Sequence, residues 1–339
     1  MPRIRDRRMR TLVIGEPEWM TSIPHAEWRD QFVRDGEVRA RGGRGELIAD
    51  VRRGELVKVS RGTYATPVDA LLPAFERAER AYLRRIQAAQ LVETTDLVFS
   101  HRSAALVWGL PAVEPWPRLV HVISGFSAGG RSTTQLSRHG VDPGDVSIVD
   151  GLHVTSLLRT VVDVARTSSF REAVCVADAA LSGLSDVSGI TMRSPVLKTD
   201  LLQELASAGS GRGVAQARAV IDFADGGSGS AGESCSRVGI HLLHLPPPVL
   251  QQPFYDRNGL IGYTDFWWKD VRLMGEFDGA GKYTLPAFLR GRTPARALAD
   301  EKKREDRLRA SGRGMSRWGW TVAISLPRLR AHLGAAGLR

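Results

Sequence analysis

Three acidic residues in the C-terminal third of the chain have the types and spacing of a metal-binding site. Asp265 lies in an aromatic segment, and Glu276 and Asp278 follow in a Gly-Glu-Phe-Asp-Gly sequence. Residues two apart on a strand face the same side, so Glu276 and Asp278 are expected to project together. Two or three carboxylates at one sheet edge can hold Mg²⁺ or Mn²⁺ and leave positions for water and a phosphate oxygen. Such a metal activates water for attack on a phosphodiester, and Lys282 could stabilise the charge that develops on the phosphate.

The surroundings of these acids leave two interpretations open. Their apolar neighbours indicate that the strands are buried: Phe266, Trp267, Leu273, Met274 and Phe277. A carboxylate in such a place needs a partner, because burying it alone is costly. One interpretation is a metal ion, and the other is an internal salt-bridge network with Lys282, Arg237 or Arg304. Gln251, which follows three prolines, could aim a further polar group at the same site.

The segment Asp300–Arg309 alternates acidic and basic residues. Such a run is typical of a solvated helix face with ion pairs one turn apart. If one face packs beside the acidic hairpin instead, Lys302 or Arg304 would contribute to a phosphate-binding surface.

The hydrophobic pattern predicts that elements in the order α-β-β-β-α-β-α position these residues. A helix over residues 233–244 comes first and ends before three prolines. Strands over 249–255, 260–268 and 271–278 follow, and the first two are joined by the hairpin turn Asp-Arg-Asn-Gly. A helix over 294–309, a strand over 314–320 and a helix over 327–333 complete the order. If the second hairpin turn is Lys269-Asp270, Asp265 lies diagonal to Glu276 on the same face.

A short β-hairpin is predicted over residues 56–65, where apolar and polar residues alternate around Gly62. It follows two segments with helical patterns, 26–35 and 45–53. Helices followed by a hairpin suit the wing of a winged-helix DNA-binding module, with Lys58 and Arg61 on the rim. The alternative is a hairpin that only caps a small domain.

Residues 70–222 have the pattern of a mixed α/β region. Helices are predicted over 73–94, 101–110, 156–166 and 170–181, and a strand over 119–123. No part of this region has the pattern of a catalytic constellation, and the loop Gly125–Gly130 lacks the context of a phosphate-binding loop. The Gly/Ser-rich segment Asp225–Gly232 is predicted to be a flexible linker or a loop before a new helix.

Basic charge is concentrated at the two ends of the chain. Of the net charge of +10, residues 290–339 contribute +9 (thirteen Lys/Arg, four Asp/Glu) and residues 1–10 contribute +4, so the rest carries −3. A polyanion such as DNA is the leading explanation. A GC-rich genome is the alternative, since 41 of the 47 basic residues are arginine.

The composition of the 339 residues is that of a folded protein with two or three domains. Cys175 and Cys235 form neither a disulfide framework nor a zinc motif, so a cytoplasmic location is expected. No apolar stretch approaches the ~20 residues of a membrane span, and no secretory signal follows the basic N-terminus. No membrane partner is therefore expected.

The C-terminal motifs taken together resemble a known family. They are Glu233-Ser-x-x-Arg237, Pro248-Val-Leu-Gln251, Thr264-Asp265-Phe266, Gly275-Glu276-Phe277-Asp278-Gly279 with Lys282-Tyr283, and Glu301-Lys-x-Arg-Glu-Asp306. Over about residues 230–330 they look like a Vsr-like domain of the PD-(D/E)XK nuclease superfamily, as found in actinobacterial proteins. The resemblance implies a mixed sheet flanked by helices, Asp265 and Glu276 as metal ligands and Glu233 as the acid from the first helix. The family usually has Lys two residues after the second acid, where this chain has Asp278, with Lys282 as a relocated substitute.

A second resemblance covers about residues 45–220. It rests on Arg53-Gly54-x-Leu56-Val-x-Val-x-Arg61-Gly-x-Tyr64, on Ser100-His101-x-Ser103-Ala-Ala-x-x-Trp108-Gly-Leu110, and on Thr155-Ser-Leu-x-Arg159-Thr-Val-Val-Asp163-x-Ala165-Arg166. These motifs resemble AbiEi-family antitoxins of type IV toxin–antitoxin systems. That resemblance implies a winged-helix DNA-binding domain, repression of the protein's own operon and a nucleotidyltransferase-like toxin as partner.

The sequence thus predicts a mixed α/β (α+β) protein of three domains. They are a winged-helix-like module over 1–66, an AbiEi-like middle domain over 67–224 and a restriction-endonuclease-like α-β-β-β-α-β domain over 232–339. The first hypothesis is a DNA-binding, Mg²⁺- or Mn²⁺-dependent endonuclease that uses Glu233, Asp265, Glu276, Asp278 and Lys282. The second is a non-catalytic AbiEi-type regulator. In both, Lys58, Arg61, Arg237, Lys302 and Arg304 are expected to contact DNA.

Overall fold

The structure is a computed structural model that describes residues 27–124, 132–183, 186–187, 190–191, 195–279, 293–310 and 312–339. Helices and mixed β-sheets build it, as the α/β prediction requires. The predicted residues Lys282 and Gly125–Gly130 lie outside the described ranges.

The N-terminal part contains a three-stranded antiparallel sheet of order β1-β3-β2. Its elements are α1 (Glu27–Asp30), β1 (Phe32–Arg34), α2 (Asp35–Ala40), α3 (Arg44–Arg53), β2 (Val57–Ser60) and β3 (Thr63–Ala65). The predicted hairpin and the predicted helix near 45–53 are confirmed. The predicted helix over 26–35 is wrong beyond Asp30, because Phe32–Arg34 pairs with Thr63–Ala65 instead. That pairing is a tertiary contact, which local periodicity does not report.

The middle part is built around a five-stranded mixed sheet of order β6-β5-β4-β8-β7. Its elements are α4 (Ala74–Val92), β4 (Val98–Phe99), α5 (His101–Val107), β5 (Val120–Ile123), β6 (Leu136–His139), β7 (Val146–Val149), β8 (Leu152–Thr155), α6 (Leu157–Thr167), α7 (Phe170–Ser182), β9 (Asp186–Val187), β10 (Ile190–Thr191), α8 (Lys198–Ser207) and α9 (Val214–Phe223). The four predicted helices and the predicted strand are present. The other strands of the sheet have two to four residues each, too few to show a period of two.

The C-terminal part has the predicted order α-β-β-β-α-β-α, with one short helix added before the last. Its elements are α10 (Ala231–Leu242), β11 (Val249–Asp256), β12 (Gly259–Trp268), β13 (Leu273–Phe277), α11 (Pro294–Ala310), β14 (Gly314–Trp318), α12 (Trp320–Ala323) and α13 (Leu326–Ala335). The sheet order is β11-β12-β13-β14, in which only β13 and β14 are parallel.

The register of the β12–β13 hairpin differs from the one considered above. Phe266 pairs with Gly275 and Trp268 with Leu273, so four residues, 269–272, form the turn instead of Lys269-Asp270. Extending this register by one pair puts Asp265 directly opposite Glu276, and not diagonal to it. The wider turn places Arg272 at a φ of 50°, and its N–H donates to the carbonyl of Lys269 at 3.1 Å.

The hydrophobic cores are shared across the predicted domain boundaries. Trp28, Phe32 and Ala65 pack in one core with residues of α4 and of the five-stranded sheet. A second connection lies between α7 and α10, where the buried thiols of Cys175 and Cys235 are 3.7 Å apart and not bonded. These cysteines are therefore neighbours in space although 60 residues separate them in the chain.

The Gly/Ser-rich segment is an ordered loop before α10 rather than a flexible linker. Ser228 is 3% exposed, and the N–H of Asp225 donates to Asp178 at 2.7 Å. Gly226 packs so closely on α7 that a Cβ there would lie 2.8 Å from the carbonyl oxygen of Leu181. The glycines here serve close packing, which composition alone does not distinguish from flexibility.

In the described part of the chain, no helix combines the length and apolarity needed to cross a membrane.

We predict that Gly232→Ala destabilises the protein by about 2 kcal/mol, since a Cβ at this helix position would lie 2.0 Å from the buried ring of Phe277. Gly334→Ala is the matched control, because it lies in α13 with no atom within 4 Å of its Cβ. The control should be neutral or stabilise by up to about 1 kcal/mol, as expected for alanine in a helix. Urea denaturation of both variants tests this, and equal stabilities would contradict the packing described.

Candidate functional site

Glu233 is fixed at the start of α10 by the residues that begin the helix. Ser230 caps the helix: its Oγ accepts from the N–H of Glu233 at 3.3 Å and donates to Glu233 Oε1 at 2.9 Å. The N–H of Gly229 donates to Glu233 Oε2 at 2.8 Å. This arrangement resembles a capping box, except that the backbone N–H which donates to Glu233 belongs to Gly229, the residue before the cap. The 6%-exposed carboxylate therefore has a structural role at the helix N-terminus.

Gln251 connects Glu233 to Asp265. Its Nε2 donates to Glu233 Oε2 at 3.1 Å and to Asp265 Oδ1 at 3.3 Å. The prediction that Gln251 aims a polar group at this site is confirmed. Its φ is 47°, a conformation that non-glycine residues adopt only when their surroundings enforce it. The other oxygen of Asp265, Oδ2, accepts from the backbone N–H of Phe277 at 2.8 Å.

Glu276 is held by two arginines from neighbouring elements. Its Oε1 accepts from Arg304 of α11 at 2.7 Å, and its Oε2 lies 2.6 Å from Arg317 of β14. Arg317 reaches it because the two residues are register partners in the parallel pair β13–β14. Glu276 is 7% exposed, so both carboxylate oxygens are committed to guanidinium groups in the interior.

Two further acids extend this pair into a network. Glu301 contacts both guanidinium groups, at 2.9 Å from Arg304 and 2.6 Å from Arg317. Glu305 lies 3.4 Å from Arg317. Among the described residues, these contacts join three carboxylates and two guanidinium groups, and Glu305 also pairs with the exposed Arg309 at 2.7 Å. This is the internal salt-bridge alternative, with Arg304 as a correctly predicted member.

The electrostatics of the network reflect burial and pairing. Burial raises the pKa of the Glu276 carboxyl above its ordinary value, while Arg304 and Arg317 act against this rise. Burial also opposes ionisation of Glu301, but the two arginines prevail and lower the pKa of its carboxyl. The carboxylates raise the pKa of the Arg304 guanidinium despite its burial. Arg304 is therefore charged at every accessible pH.

Among the described residues, Asp265, Glu276 and Asp278 do not form a group of three whose ligand atoms all lie within 4.8 Å of one another. Of the described residues, the only group of three His, Cys, Asp or Glu side chains with ligand atoms within 4.8 Å of one another is His101, His121 and His139. Asp278 is exposed just beyond β13, and Lys282 lies outside the described residues. A Mg²⁺ or Mn²⁺ ion at Asp265, Glu276 and Asp278 stays a prediction.

The residues predicted to contact DNA fall into an exposed group and an ion-paired group, and Arg304, paired with Glu276 and Glu301, belongs to the second. Lys58 and Arg61 of the hairpin and Lys302 of α11 are exposed. Arg237 is not: it is 8% exposed, its Nη2 donates to both oxygens of Asp178 at 2.7 Å, and its guanidinium stacks on Phe223. Arg237 therefore joins α10 to α7 in the interior, and the expectation that it contacts DNA is corrected.

The three histidines are the candidate residues that sequence reasoning missed. They come from α5, β5 and β6, and about 20 residues separate each from the next, so no spacing in the chain connects them. Only the tertiary arrangement of the five-stranded sheet brings them together.

Comparison with known proteins gives relatives without an assigned function. No protein-family model matches the chain. The chain is 28% identical over 251 residues, 74% of its length and 84% of theirs, to the uncharacterized proteins Rv2248 and MT2308 of two Mycobacterium tuberculosis strains. It is also similar to the crystal structure of the RV2827C protein from Mycobacterium tuberculosis, at 15% identity and a TM-score of 0.34, over 71% of this chain and 89% of that one.

We predict that Arg317→Met lowers the free energy of unfolding by about 2 kcal/mol. The substitution leaves Glu276 and Glu301 undercompensated in the interior, and the partial exposure of Arg317, 25%, keeps the loss below that of a fully buried pair. Arg309→Met is the control, since Arg309 is 55% exposed and its pair with Glu305 should contribute less than about 0.5 kcal/mol. Urea denaturation measures both, and an Arg317→Met protein as stable as the control would contradict a buried network.

Proposed function

We propose that this protein is a DNA-binding regulator of the AbiEi type, which contacts DNA through its N-terminal part and does not hydrolyse it. The observation that carries the proposal is a set of exposed basic side chains on α3, on the segment before it and on the β2–β3 hairpin. These side chains are Arg41, Arg44, Arg52, Lys58 and Arg61.

The arrangement of the elements supports this use. Two helices, α2 and α3, lie between the first and second strands, and the third strand pairs with both others in the order β1-β3-β2. This is the arrangement expected of a winged-helix module, in which the second of the two helices enters the major groove and the hairpin is the wing. Leu47 is the buried residue of α3, Ala49 and Asp50 are partly buried, and the other residues of that helix are exposed.

The charge of this surface also supports contact with phosphates. Residues 39–61 contain seven basic and three acidic residues. Arg39 pairs with Asp35, and Arg53 pairs with Asp50 and Glu55. Within the described ranges the five basic side chains of the proposed surface have no such acidic partner. Their charges are therefore available to neutralise phosphates and release counterions.

The network around Glu276 favours a regulator over a nuclease. A divalent ion bound to Glu276 would have to displace Arg304 or Arg317, which lie 2.7 and 2.6 Å from its oxygens. The two guanidinium groups already supply the positive charge that compensates the buried carboxylate.

The proposal also includes a nucleotidyltransferase-like toxin as a partner of this protein. Only the resemblance to AbiEi-family antitoxins supports this partner.

We predict that the double substitution Lys58→Ala/Arg61→Ala weakens binding to a labelled random-sequence DNA duplex about tenfold. If both residues contact phosphates, the salt dependence of log Kd should also decrease by roughly two, since each contact contributes about 0.9 to the slope. Fluorescence anisotropy over a range of salt concentrations measures both quantities.

The matched control is Arg212→Ala/Arg218→Ala, which removes the same charge from exposed positions of the middle part. The control should retain the affinity and salt slope of the unaltered protein. Equal losses of affinity in the two double variants would mean that DNA binding depends only on the net charge of the protein. That result would overturn the assignment of the hairpin as the DNA-contacting wing.

A further inference from the structure

Three histidines converge on one face of the five-stranded sheet. His121 of β5 and His139 of β6 lie on parallel neighbouring strands, in which His121 pairs with Ser137. His139 is two residues further along than Ser137 and therefore faces the same side as His121. The N–H of Ser100 donates to the carbonyl of His121 at 3.1 Å, which brings His101, the first residue of α5, over that face.

The imidazole rings are in direct contact. His121 Nδ1 lies 3.0 Å from His139 Nε2, and the ring centroids of His101 and His139 are 3.8 Å apart. One nitrogen of each ring lies within 4.8 Å of the corresponding nitrogens of the other two. Tetrahedral Zn²⁺ with bonds of about 2.1 Å places its ligands about 3.4 Å apart, so modest ring rotations would complete a coordination set.

The surroundings keep these rings neutral and accessible from one side. Burial lowers the pKa of all three imidazoles, to about 4 for His121, and the other rings of the cluster contribute for His101 and His121. Neutral imidazole is the form that binds metal ions. His101 is 5% exposed, whereas His121 and His139 are half-buried, which leaves a route for an ion.

A buried carboxylate lies behind His101. Asp163 Oδ2 is buried with no hydrogen-bond partner among the described residues, and its other oxygen accepts from Arg159 at 2.9 Å. Asp163 Oδ2 lies 3.9 Å from His101 Nδ1, beyond hydrogen-bond distance, and that nitrogen lies 2.9 Å from Ser100 Oγ. A small shift of the His101 ring would let its N–H donate to Asp163, and a carboxylate in that position orients a metal-binding imidazole and increases its basicity. His101 also has a φ of 51°, a strained conformation of the kind that clusters at functional sites.

We propose that His101, His121 and His139 form a binding site for Zn²⁺ or a similar divalent transition metal, with Asp163 as the carboxylate that positions His101. Three imidazole ligands favour such ions over Mg²⁺ and Ca²⁺, which prefer oxygen. They also leave a fourth position for water or another ligand. The site is separate from the acidic network of the C-terminal part and does not depend on the function proposed above.

The test is metal binding by the full-length protein after removal of metal with a chelator. We expect Zn²⁺ to bind in isothermal titration calorimetry and to raise the melting temperature, and Co²⁺ to give the visible absorption of a tetrahedral nitrogen site. His121→Ala and His139→Ala should each weaken Zn²⁺ binding at least tenfold and abolish the Co²⁺ spectrum. Asp163→Asn should weaken binding about tenfold, as carboxylates behind metal ligands typically do.

The matched control is His153→Ala, which removes a histidine from β8 of the same sheet outside the cluster. It should bind Zn²⁺ like the unaltered protein. Circular dichroism identifies variants that fail to fold, and His139→Gln then replaces His139→Ala. Absence of Zn²⁺ binding, or binding equal in His121→Ala, His139→Gln and the control, would overturn the proposal.

Discussion

The C-terminal part depends on how it compensates one buried carboxylate. Glu276 lies near the end of strand β13, and its charge would be costly to bury alone. Arg317 from the next strand and Arg304 from helix α11 each bind one oxygen of Glu276. Glu301 contacts both guanidinium groups. These ion pairs join the edge strand β14 and the helix α11. The alternating acidic and basic residues of α11 therefore have two roles. Glu301, Arg304 and Glu305 face the network, and only the others form the solvated face expected from the sequence.

Interior pairing of arginine with acidic residues recurs in the rest of the molecule. Arg237 with Asp178 joins α10 to α7, and Arg102 with Glu172, at 2.8 Å, joins α5 to α7. The planar guanidinium suits such sites because it forms two parallel hydrogen bonds and is weakly hydrated for a cation. The many arginines therefore have two distinct roles. The net charge therefore overestimates the number of basic side chains that DNA could contact. The exposed basic residues around α3 and the β2–β3 hairpin are the ones that we propose to contact it.

The sequence predicted those features whose determinants are local. The order of elements in the C-terminal part follows from apolar periodicity and from the turn Asp256–Gly259, and Gln251 was placed correctly by its position after three prolines. Features that depend on tertiary contacts were either not predicted or predicted differently from the structure. The β12–β13 hairpin has a four-residue turn, 269–272, and therefore a different register from the predicted one. Arg237 faces the interior, where it pairs with Asp178, and not the surface. Residues 32–34 form the strand β1, and not a helix, because they pair with β3. The histidine cluster forms only where α5, β5 and β6 meet, so the sequence pattern of each separate segment does not predict it.

Cleavage of supercoiled plasmid in the presence of Mg²⁺ or Mn²⁺ distinguishes a DNA-binding regulator from a nuclease, with Asp265→Ala and Glu276→Ala variants beside the unaltered protein. We expect the protein to bind the plasmid, as a gel shift would show, but to leave it supercoiled with either metal, because arginines hold both oxygens of Glu276. Metal-dependent nicking by the unaltered protein that disappears in both variants would contradict the proposed regulator. The acidic network would then open to admit a metal ion, and the protein would be a nuclease.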